Sequence, residues 1–314
     1  MESRHSGACL VPRRAGSTAG KKVIEIKRMT ILFPGRYMNY REVNEHMHDE
    51  YQTAEDTGLF NMILFNYDAW LNGEKLRMTD QTDISNPVLY RGWMLKPEEY
   101  KKLYGDLAHR GIHLLTNPEA YANMHLFPNV YPMIKEDTAE MMCFPDGKVD
   151  VEMVKQHFDR FMIKDSVKST KGTEFPAFFN QSVTQEEFDE KMNIFYKYRG
   201  DLLTGSICVK EYLNLKRYDG KTNEFRVFYA NGQIISVSRN SHQPGDTSEL
   251  PLKLAEKYGN MKSPYYTIDY AELEDGSWKI IEAGDGGVSG LSSGQDAVAY
   301  YKSLYHALAG GVNI

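Results

Sequence analysis

Two acidic residues lie beside a run of glycines near the end of the 314-residue chain. In KIIEAGDGGVSGLSSG (279–294), Glu282 and Asp285 follow an apolar stretch, and the segment contains five glycines. A third acid, Asp269, lies 13 residues before Glu282, and the Asp-Gly dipeptide between them is typical of a hairpin turn. Arms of nearly equal length would place Asp269 and Glu282 opposite each other on paired strands.

Facing carboxylates repel each other unless a cation lies between them, and two kinds of cation fit this sequence. Mg²⁺ is bound in proteins by one or two carboxylates together with nucleotide phosphates, which predicts a magnesium site at Asp269 and Glu282. Alternatively, the acids form structural ion pairs with nearby lysines and with Arg226, which shares a strand face with Glu224. Ion pairs would account for the charges but not for the glycines.

A lysine-rich turn follows the apolar segment RFMIKD. The sequence KDSVKSTKG supplies Lys164 at the predicted strand end, then Lys168 and Lys171 on a turn that ends in Gly172. Lysine is a mobile point charge suited to phosphate oxygens. The turn is therefore either a phosphate-gripping lid or a solvated basic loop, and the residues alone favour neither.

Other familiar motifs are incomplete. GLSSG fits the G-x-S-x-G pattern around Ser292, but only 20 residues follow it, and a nucleophile elbow needs an acid and a histidine from later strands. GDGGVSG lacks the third glycine of a dinucleotide-binding loop and has too little chain after it for a βαβ unit. In HMHDE (46–50) the two histidines point to different sides of a helix, so we interpret this cluster as a solvated polar face.

Hydrophobic periodicity predicts alternating strands and helices first, then mainly antiparallel strands. The predicted strands are 30–33, 59–65, 87–92, 112–115, 160–165 and 205–215, and the predicted helices are 40–54, 97–110, 184–199 and 296–311. The helix at 184–199 opens with a capping box from Thr184 to Glu187. Two predicted hairpins, NEFRVFYANGQIISVSRN and SPYYTIDYAELEDGSWKIIEAGD, turn at their Asn-Gly and Asp-Gly dipeptides.

Composition bounds the domains and excludes some classes of protein. No apolar run approaches the roughly 20 residues of a membrane helix, so we predict a protein without a membrane span. Residues 1–28 carry seven Lys or Arg against two acids and lack periodicity, which indicates a disordered or tag-like leader. The rest has 30 basic against 41 acidic residues, which argues against general nucleic-acid binding. We predict an N-terminal open α/β domain at 29–148 and a second domain at 149–314.

The three cysteines, Cys9, Cys143 and Cys208, lie far apart in the sequence and form no C-x-x-C motif. An odd number of scattered cysteines indicates neither a disulfide framework nor a thiolate zinc site. This pattern favours a reducing compartment, and we predict a cytoplasmic location.

Several motifs, taken in order, resemble those of the ATP-grasp superfamily. A strand lysine before a flexible loop (KDSVKS), VKEY at a strand end, EFRVFYANGQ, an aspartate in the penultimate strand and IIEAGDGGVSGL are together similar to its divergent arginine-and-lysine clade, family 3. The resemblance covers most of residues 29–314. It implies α/β and α+β architecture: an ATP-grasp fold, in which two α+β subdomains clamp ATP, preceded by the N-terminal open α/β domain.

The resemblance also implies roles for individual residues. Nucleotide contacts are implied for Lys164, Lys168, Lys210, Glu211, Glu224 and Arg226, magnesium ligands for Asp269, Glu282 and Asp285, and catalytic roles for Lys164, Arg226 and Glu282. The glycines would let the backbone approach phosphate and acceptor. Two positions depart from the family pattern, since Gly284 stands where many members have Asn and Lys210 where relatives often have Arg. The family's first lysine has Lys135 and His125 as candidates.

Substrate contacts are predicted from position. Open α/β sheets present ligands at the carboxyl ends of their strands, and guanidinium matches carboxylate bidentately. Arg91, at the end of PVLYRG, is therefore the predicted anchor for a substrate carboxylate. Ser289, in the glycine-rich segment 284–294 (the glycine loop), is predicted as a second contact.

The activity implied by the resemblance is ATP-dependent ligation with ATP and Mg²⁺. A carboxylate would attack the γ-phosphoryl group, and an amine or thiol would capture the resulting acyl phosphate. We expect a carboxylate-amine ligase acting on a peptide, a protein or a small amino compound. Two alternatives stay open: a nucleotide-binding assembly factor or chaperone, as among the clade's eukaryotic relatives, and a phosphotransferase.

Overall fold

The computed structural model describes residues 27–79, 84–170, 172–243 and 245–310. Most of the predicted leader, and Lys171 of the lysine-rich turn, lie outside the described residues. Across the described ranges, no helix is both long enough and apolar enough to span a membrane.

Strands and helices alternate at first, and strands dominate later. The strands are β1 (Met29–Pro34), β2 (Phe60–Phe65), β3 (Val88–Tyr90), β4 (Met141–Phe144), β5 (Arg160–Asp165), β6 (Phe179–Asn180), β7 (Ile207–Glu211), β8 (Arg217–Tyr218), β9 (Lys221–Thr222), β10 (Glu224–Ala230), β11 (Gln233–Arg239), β12 (Tyr265–Glu272) and β13 (Trp278–Asp285). The helices are α1 (His48–Asp56), α2 (Tyr67–Leu71), α3 (Pro97–Ala108), α4 (Pro118–His125), α5 (Phe127–Ile134), α6 (Val151–Lys155), α7 (Gln185–Arg199), α8 (Leu252–Lys257) and α9 (Ala297–Leu308). Short 3-10 turns occur at Glu45–Met47, Gly200–Leu202 and Gly286–Val288.

The first sheet is parallel and has the strand order β2-β1-β3. Every residue of β1 is buried, as expected for a central strand covered on both faces. The predicted strand at 112–115 is wrong. This segment meets β3 only at the bridge between Val88 and Leu114, because the chain soon turns into α4, whose first turn is capped by Asn117.

The predicted helix at 40–54 begins later than expected. Val43 forms a bridge with Gly35, and the Asn44 side chain accepts a hydrogen bond that caps the 3-10 turn at Glu45–Met47. Regular helix therefore starts only at His48. The local hydrogen bonds of this segment outweigh its helical periodicity.

The second sheet has the order β4-β7-β5-β6, and its strands are antiparallel. One face packs into an apolar core with α6 and α7, and the capping box predicted from Thr184 to Glu187 is confirmed at the start of α7. Side chains alternate across a strand, so the opposite face carries Cys208 and Lys210 of β7 and Lys164 of β5. This opposite face is turned toward the third sheet, since the Lys210 ammonium donates to the Ile281 carbonyl at 3.0 Å.

The third sheet, β11-β10-β12-β13, is antiparallel and contains both predicted hairpins. At the first turn Asn231 and Gly232 have φ angles of 47° and 81°, and at the second Gly276 has φ 84°. Two consecutive positive φ angles are what a tight type I′ turn requires. The two hairpin predictions are confirmed.

A row of four polar residues crosses this sheet. Ser238 on β11 pairs with Arg226 on β10, Arg226 with Asp269 on β12, and Asp269 with Glu282 on β13. The predicted opposition of Asp269 and Glu282 is thus confirmed. The register shifts directly after this pair and leaves Ile281 without a cross-strand partner, a bulge of the kind found beside functional sites.

Candidate functional site

A cavity of about 220 Å³ opens above the polar row of the third sheet. Its polar lining residues are His125, Lys168, Arg226, Thr267, Asp269, Glu282 and Ser289. Sites for small organic ligands usually measure roughly 300–1,000 Å³. In this arrangement the cavity therefore holds only part of a ligand of nucleotide size. Five of its lining residues were predicted as site residues from the sequence.

Asp269 and Arg226 form a two-point ion pair at the floor of the cavity. The Arg226 Nε lies 2.8 Å from Oδ1 of Asp269, and Nη2 lies 2.7 Å from Oδ2. Burial raises the pKa of Asp269, and the Arg226 guanidinium offsets only part of that increase. The structure thus contains an ion pair of the kind predicted as the alternative to magnesium.

Glu282 is the more accessible of the two carboxylates. Its Oε1 lies 3.5 Å from the Lys168 Nζ, and the Lys168 and Glu282 side chains are 40% and 35% exposed. An ion pair of that length and exposure contributes little stability. The charged carboxylate of Glu282 therefore faces the cavity, and its ion pair with Lys168 is weak.

The lysine-rich turn is built around Asp165. The amides of Val167 and Lys168 both donate to Asp165 Oδ1 at 2.7 Å, and the Arg199 Nε donates to Oδ2 at 2.8 Å. Asp165 is fully buried. These bonds fix the backbone at Lys168 and direct its side chain to the cavity. An aspartate at a strand end that folds the next turn is a recognisable signal, and the sequence reading did not use it.

Lys164 and Lys210 lie behind the cavity rather than on its wall. Their ammonium groups sit 4.6 Å and 4.1 Å from the centre of the Phe127 ring, and both side chains are buried. Such cation–π contacts stabilise a desolvated charge. Burial lowers the pKa of Lys164, and the negative charge of Glu282 counteracts part of the decrease. The predicted nucleotide contacts of both lysines stay predictions.

His125 and Lys135 are the two candidates for the position of the family's first lysine. Of the two, His125, at the end of α4, lines the cavity. Its ring stacks on Tyr121 with 4.8 Å between centroids. Burial, followed by the positive charge of Lys168, lowers the pKa of His125 to about 4. Lys135 is exposed just after α5 and does not line the cavity.

Two glycines of the glycine loop are required by close packing. A Cβ on Gly286 would lie 2.7 Å from the Tyr265 ring, and one on Gly287 would lie 2.6 Å from the Tyr90 carbonyl oxygen. Neither glycine has a positive φ angle. The expectation that the glycines admit phosphate is thus corrected for these two. Gly284 and Gly290 do line the cavity.

Arg91 is bound to the backbone of the glycine loop by hydrogen bonds. Its guanidinium donates to the carbonyl oxygens of Gly286 and Ser289, the latter at 2.9 Å, and its Nε lies 2.6 Å from Glu50 Oε1. Arg91 is 3% exposed and does not line the cavity. Its predicted role as substrate anchor has no support in this geometry, because its donors face protein groups.

Glu50 supports Arg91, a contact that the sequence analysis missed. The HMHDE cluster was interpreted as a solvated face, which is wrong for Glu50, whose side chain is only 15% exposed. Besides Arg91, the Tyr301 hydroxyl donates to its Oε1 at 2.5 Å. Ser289, in contrast, lies where it was predicted: it lines the cavity, and its hydroxyl is 2.8 Å from that of Thr267.

Asp285 does not join the other two acids. Its Oδ1 accepts a hydrogen bond from the Gly287 amide at 2.8 Å and thereby caps the 3-10 turn of the glycine loop. Its Oδ2 is buried without a hydrogen-bond partner among the described residues. Burial raises the pKa of Asp285 to about 7. The structure therefore separates Asp285 from Asp269 and Glu282, contrary to the predicted set of three magnesium ligands.

Two further predicted nucleotide contacts lie outside the cavity. Glu211 ends β7, where its carboxylate accepts a hydrogen bond from the Glu140 amide at 3.4 Å. Glu224 begins β10 and accepts a hydrogen bond from Thr222 at 2.7 Å. Both residues are partly exposed. Their roles stay predictions.

Comparison with protein families supplies the decisive observation. The model of the ATP-grasp domain of the arginine-and-lysine clade, family 3, matches residues 135–304. This chain belongs to that ATP-grasp family. The resemblance stated from the sequence motifs is thereby confirmed. The match begins before the predicted boundary at 148/149, which stays a prediction. Comparison with curated proteins gives no match.

Solved structures confirm the ATP-grasp fold over nearly the whole chain. D-alanyl-alanine synthetase A from Vibrio cholerae matches with a TM-score of 0.55 and 14% identity, over 90% of this chain and 99% of that one. The ATP-grasp ligase PsnB, complexed with minimal precursor, Mg and ADP, matches with a TM-score of 0.53 and 11% identity, over 87% and 96%. The macrocyclase MdnC from Microcystis aeruginosa, bound with precursor peptide MdnA, matches with a TM-score of 0.52 and 14% identity, over 88% and 98%.

Proposed function

We propose that this ATP-grasp protein is an ATP-dependent ligase that joins a carboxylate to an amine or a thiol. One observation carries the proposal: Glu282 and the Arg226–Asp269 pair of the third sheet line a cavity opposite Lys168, which lies on the turn after β5 of the second sheet. Fixed charges of both signs that meet from two elements suit a phosphoryl group and its counter-ion.

Magnesium fits this site as an ion that arrives with the nucleotide. The described residues contain no group of three or more His, Cys, Asp or Glu side chains that could hold a metal ion. Mg²⁺ keeps several waters and typically takes only one or two protein carboxylates plus substrate phosphates. Glu282 would hold it here, with Asp269 as a second carboxylate whose oxygens also accept hydrogen bonds from Arg226, and the ion would supply positive charge against the phosphate oxygens.

The proposed reaction has two steps. A substrate carboxylate oxygen bonds to the γ-phosphorus of ATP while the bond to the ADP oxygen breaks, which gives an acyl phosphate and ADP. An amine or thiol then bonds to the acyl carbon, loses its proton, and phosphate leaves. Lys168 and Arg226 would stabilise the transferred charge, and the loop at Ser289 would orient the acceptor. In this proposal no side chain is needed as covalent nucleophile.

A substrate with an amino-acid or peptide carboxylate is the class we favour. The PsnB and MdnC structures are complexes with a precursor or a precursor peptide, and D-alanyl-alanine synthetase is named for a dipeptide, a product of two amino acids. These names support an amino compound or a peptide for this chain and do not choose between the two.

The experiment is an ADP-release assay with ATP, Mg²⁺ and pooled amino acids and peptides, read by mass spectrometry. We expect magnesium-dependent ADP release together with a product whose mass is the sum of two substrates less one water. A stable phosphorylated product would instead identify a phosphotransferase. ADP release without any new product would favour an assembly factor. Absence of ADP release with every pool would contradict an ATP-consuming function.

A further inference from the structure

Two of the three cysteines meet on neighbouring strands. Cys143 of β4 and Cys208 of β7 are direct cross-strand partners, and their sulfur atoms are 3.3 Å apart. They are separated by 65 positions in the sequence, which is why the sequence analysis saw no pairing. Both thiols are free in the structure, and the fold brings them into contact.

Their position on the ladder suits a covalent bond. The Glu211 amide donates to the Glu140 carbonyl at 2.9 Å, which makes that pair a hydrogen-bonded one. Hydrogen-bonded and non-hydrogen-bonded pairs alternate along an antiparallel ladder, so Cys143 and Cys208 occupy a non-hydrogen-bonded pair. The Cα atoms of such pairs are about 4.5 Å apart, within the roughly 4.4–6.8 Å that a disulfide spans. A bond can form without a change in strand register.

The two thiols differ in reactivity. Cys143 is exposed, whereas Cys208 is buried. The hydrogen bond that the two thiols share, together with the charge of Lys164, lowers the pKa of Cys143. The same contact with Cys143 raises the pKa of Cys208. A dissolved disulfide can reach the exposed Cys143 and not the buried Cys208, so Cys143 attacks first as the thiolate nucleophile and Cys208 resolves.

We propose that Cys143 and Cys208 form a thiol modification site that a low-molecular-weight disulfide converts into an intramolecular disulfide. The Cys143 thiolate bonds to one sulfur of the reagent and expels the other as a thiolate. The Cys208 sulfur then bonds to the Cys143 sulfur, its proton leaves, and the second reagent thiolate departs. Two protein thiols are oxidised, and one reagent disulfide is reduced to two thiols. This proposal does not depend on the proposed ligase activity.

The site adjoins a predicted phosphate-binding residue. Cys208 pairs on its other side with Lys164 of β5, so the row Cys143–Cys208–Lys164 crosses three strands on one face. Closure of the disulfide would tie β4 to β7 beside that lysine. Among the described residues, no other cysteines are present to compete for Cys143.

The test uses the full chain with Cys9→Ser, because Cys9 lies outside the described residues and would add a third thiol. Folded protein is treated with oxidised glutathione, quenched with acid and measured by intact mass and peptide mapping. We expect a mass lower by two hydrogen atoms and a peptide that links Cys143 to Cys208. A product that keeps glutathione on Cys143, or one that stays reduced, would overturn the proposal.

Two single variants test the order of attack. Cys208→Ser should stop at a mixed disulfide with glutathione on Cys143, and Cys143→Ser should lose the reaction, since the remaining thiol is buried. Modification of Cys208 in the Cys143→Ser protein at the parental rate would contradict the assigned order. Thermal unfolding shows whether each variant is folded. If Cys208→Ser does not fold, Cys208→Ala takes its place in the test.

Discussion

Arg226 and Asp269 face each other on adjacent antiparallel strands, and their side chains share two hydrogen bonds of 2.8 and 2.7 Å. Glu282 lies on the other side of Asp269, at the next position of the same row. The aspartate is therefore committed to an internal partner, whereas the glutamate is paired only loosely with Lys168 at 3.5 Å. Two acids that look alike in the sequence should thus respond differently to removal of their charge.

Glu282→Gln keeps the shape of the side chain and removes one negative charge from the cavity. We expect magnesium-dependent ADP release to be lost while the protein stays folded, because glutamine keeps the size of the side chain and removes one carboxylate that would hold Mg²⁺. ADP release and thermal unfolding measured on one sample decide the case. Glu274→Gln, at an exposed site on the same hairpin, is the matched control. Turnover at the parental level would remove Glu282 from the proposed site.

Asp269→Asn should lower stability as well as activity. The change leaves the Arg226 guanidinium, whose side chain is only 23% exposed, without its anionic partner. Breaking such a pair from one side costs on the order of 3 kcal/mol. Denaturant unfolding gives the value, and a loss as small as that of Glu282→Gln would show that the ion pair is not structural.

Lys164→Met tests whether the buried lysine contacts phosphate. If a charge-assisted contact is lost, ATP binding should weaken by on the order of 2 kcal/mol, about thirtyfold. Stability should not fall, because methionine also fills the space beside Phe127 and removes a charge that burial disfavours. Calorimetric titration with ATP and Mg²⁺ measures the affinity, with the exposed Lys191→Met on α7 as control. Equal dissociation constants would return Lys164 to a purely structural role.

The sequence predicted what depends on short-range patterns. Both hairpins, the capped helix α7 and the opposition of Asp269 to Glu282 follow from turn dipeptides and alternation. A strand of 112–115 was wrong because its partner β3 is only three residues long and the chain turns away at once. Periodicity carries no information about how many partners a strand will find.

Contacts between distant segments could not be predicted in the same way. Nothing local joins Glu50 to Arg91 or Cys143 to Cys208, since topology alone brings these pairs together. The glycine loop shows the same limit. Its glycines pointed to ligand binding, yet Gly286 and Gly287 are needed where the loop packs on Tyr265 and β3.

The Glu50–Arg91 pair supports a prediction about the loop. In a double-mutant cycle with Glu50→Gln and Arg91→Met, we expect a coupling energy of about 2 kcal/mol for unfolding, because both groups are largely buried. The exposed pair Arg36 and Glu42 should show less than about 1 kcal/mol in the same cycle. Denaturant unfolding supplies the four free energies.

Kinetics of the same variants separate a loop-holding role from substrate anchoring by Arg91. If Glu50 and Arg91 act together to hold the glycine loop, Glu50→Gln and Arg91→Met should reduce turnover to a similar extent. A direct contact between Arg91 and a substrate carboxylate would instead raise KM in Arg91→Met alone. That second pattern would restore the anchor predicted from the sequence.

Asp285 should make the stability of the protein depend on pH. Burial raises the pKa of its carboxyl to about 7, although the Gly287 amide, the Thr116 side chain and the Arg91 charge oppose the increase. An unfolded aspartate titrates near 3.9, so between about pH 4 and pH 7 the folded state binds a proton that the unfolded state has lost. The carboxyl therefore costs stability as pH rises through this window, up to about 4 kcal/mol at pH 7 and above.

Asp285→Asn removes that titration and keeps an oxygen that can accept the bond from the Gly287 amide. Its stability relative to the parent should therefore increase steadily from about pH 4 to pH 7 and level off above. The difference between the unfolding free energies of the two proteins removes the contribution of every other group that titrates alike in both. The exposed Asp246→Asn serves as control, and its stability should stay parallel to that of the parent. Urea unfolding at several pH values measures both differences, and parallel curves for Asp285→Asn and parent would show that this carboxyl is ionised in the folded protein throughout the range.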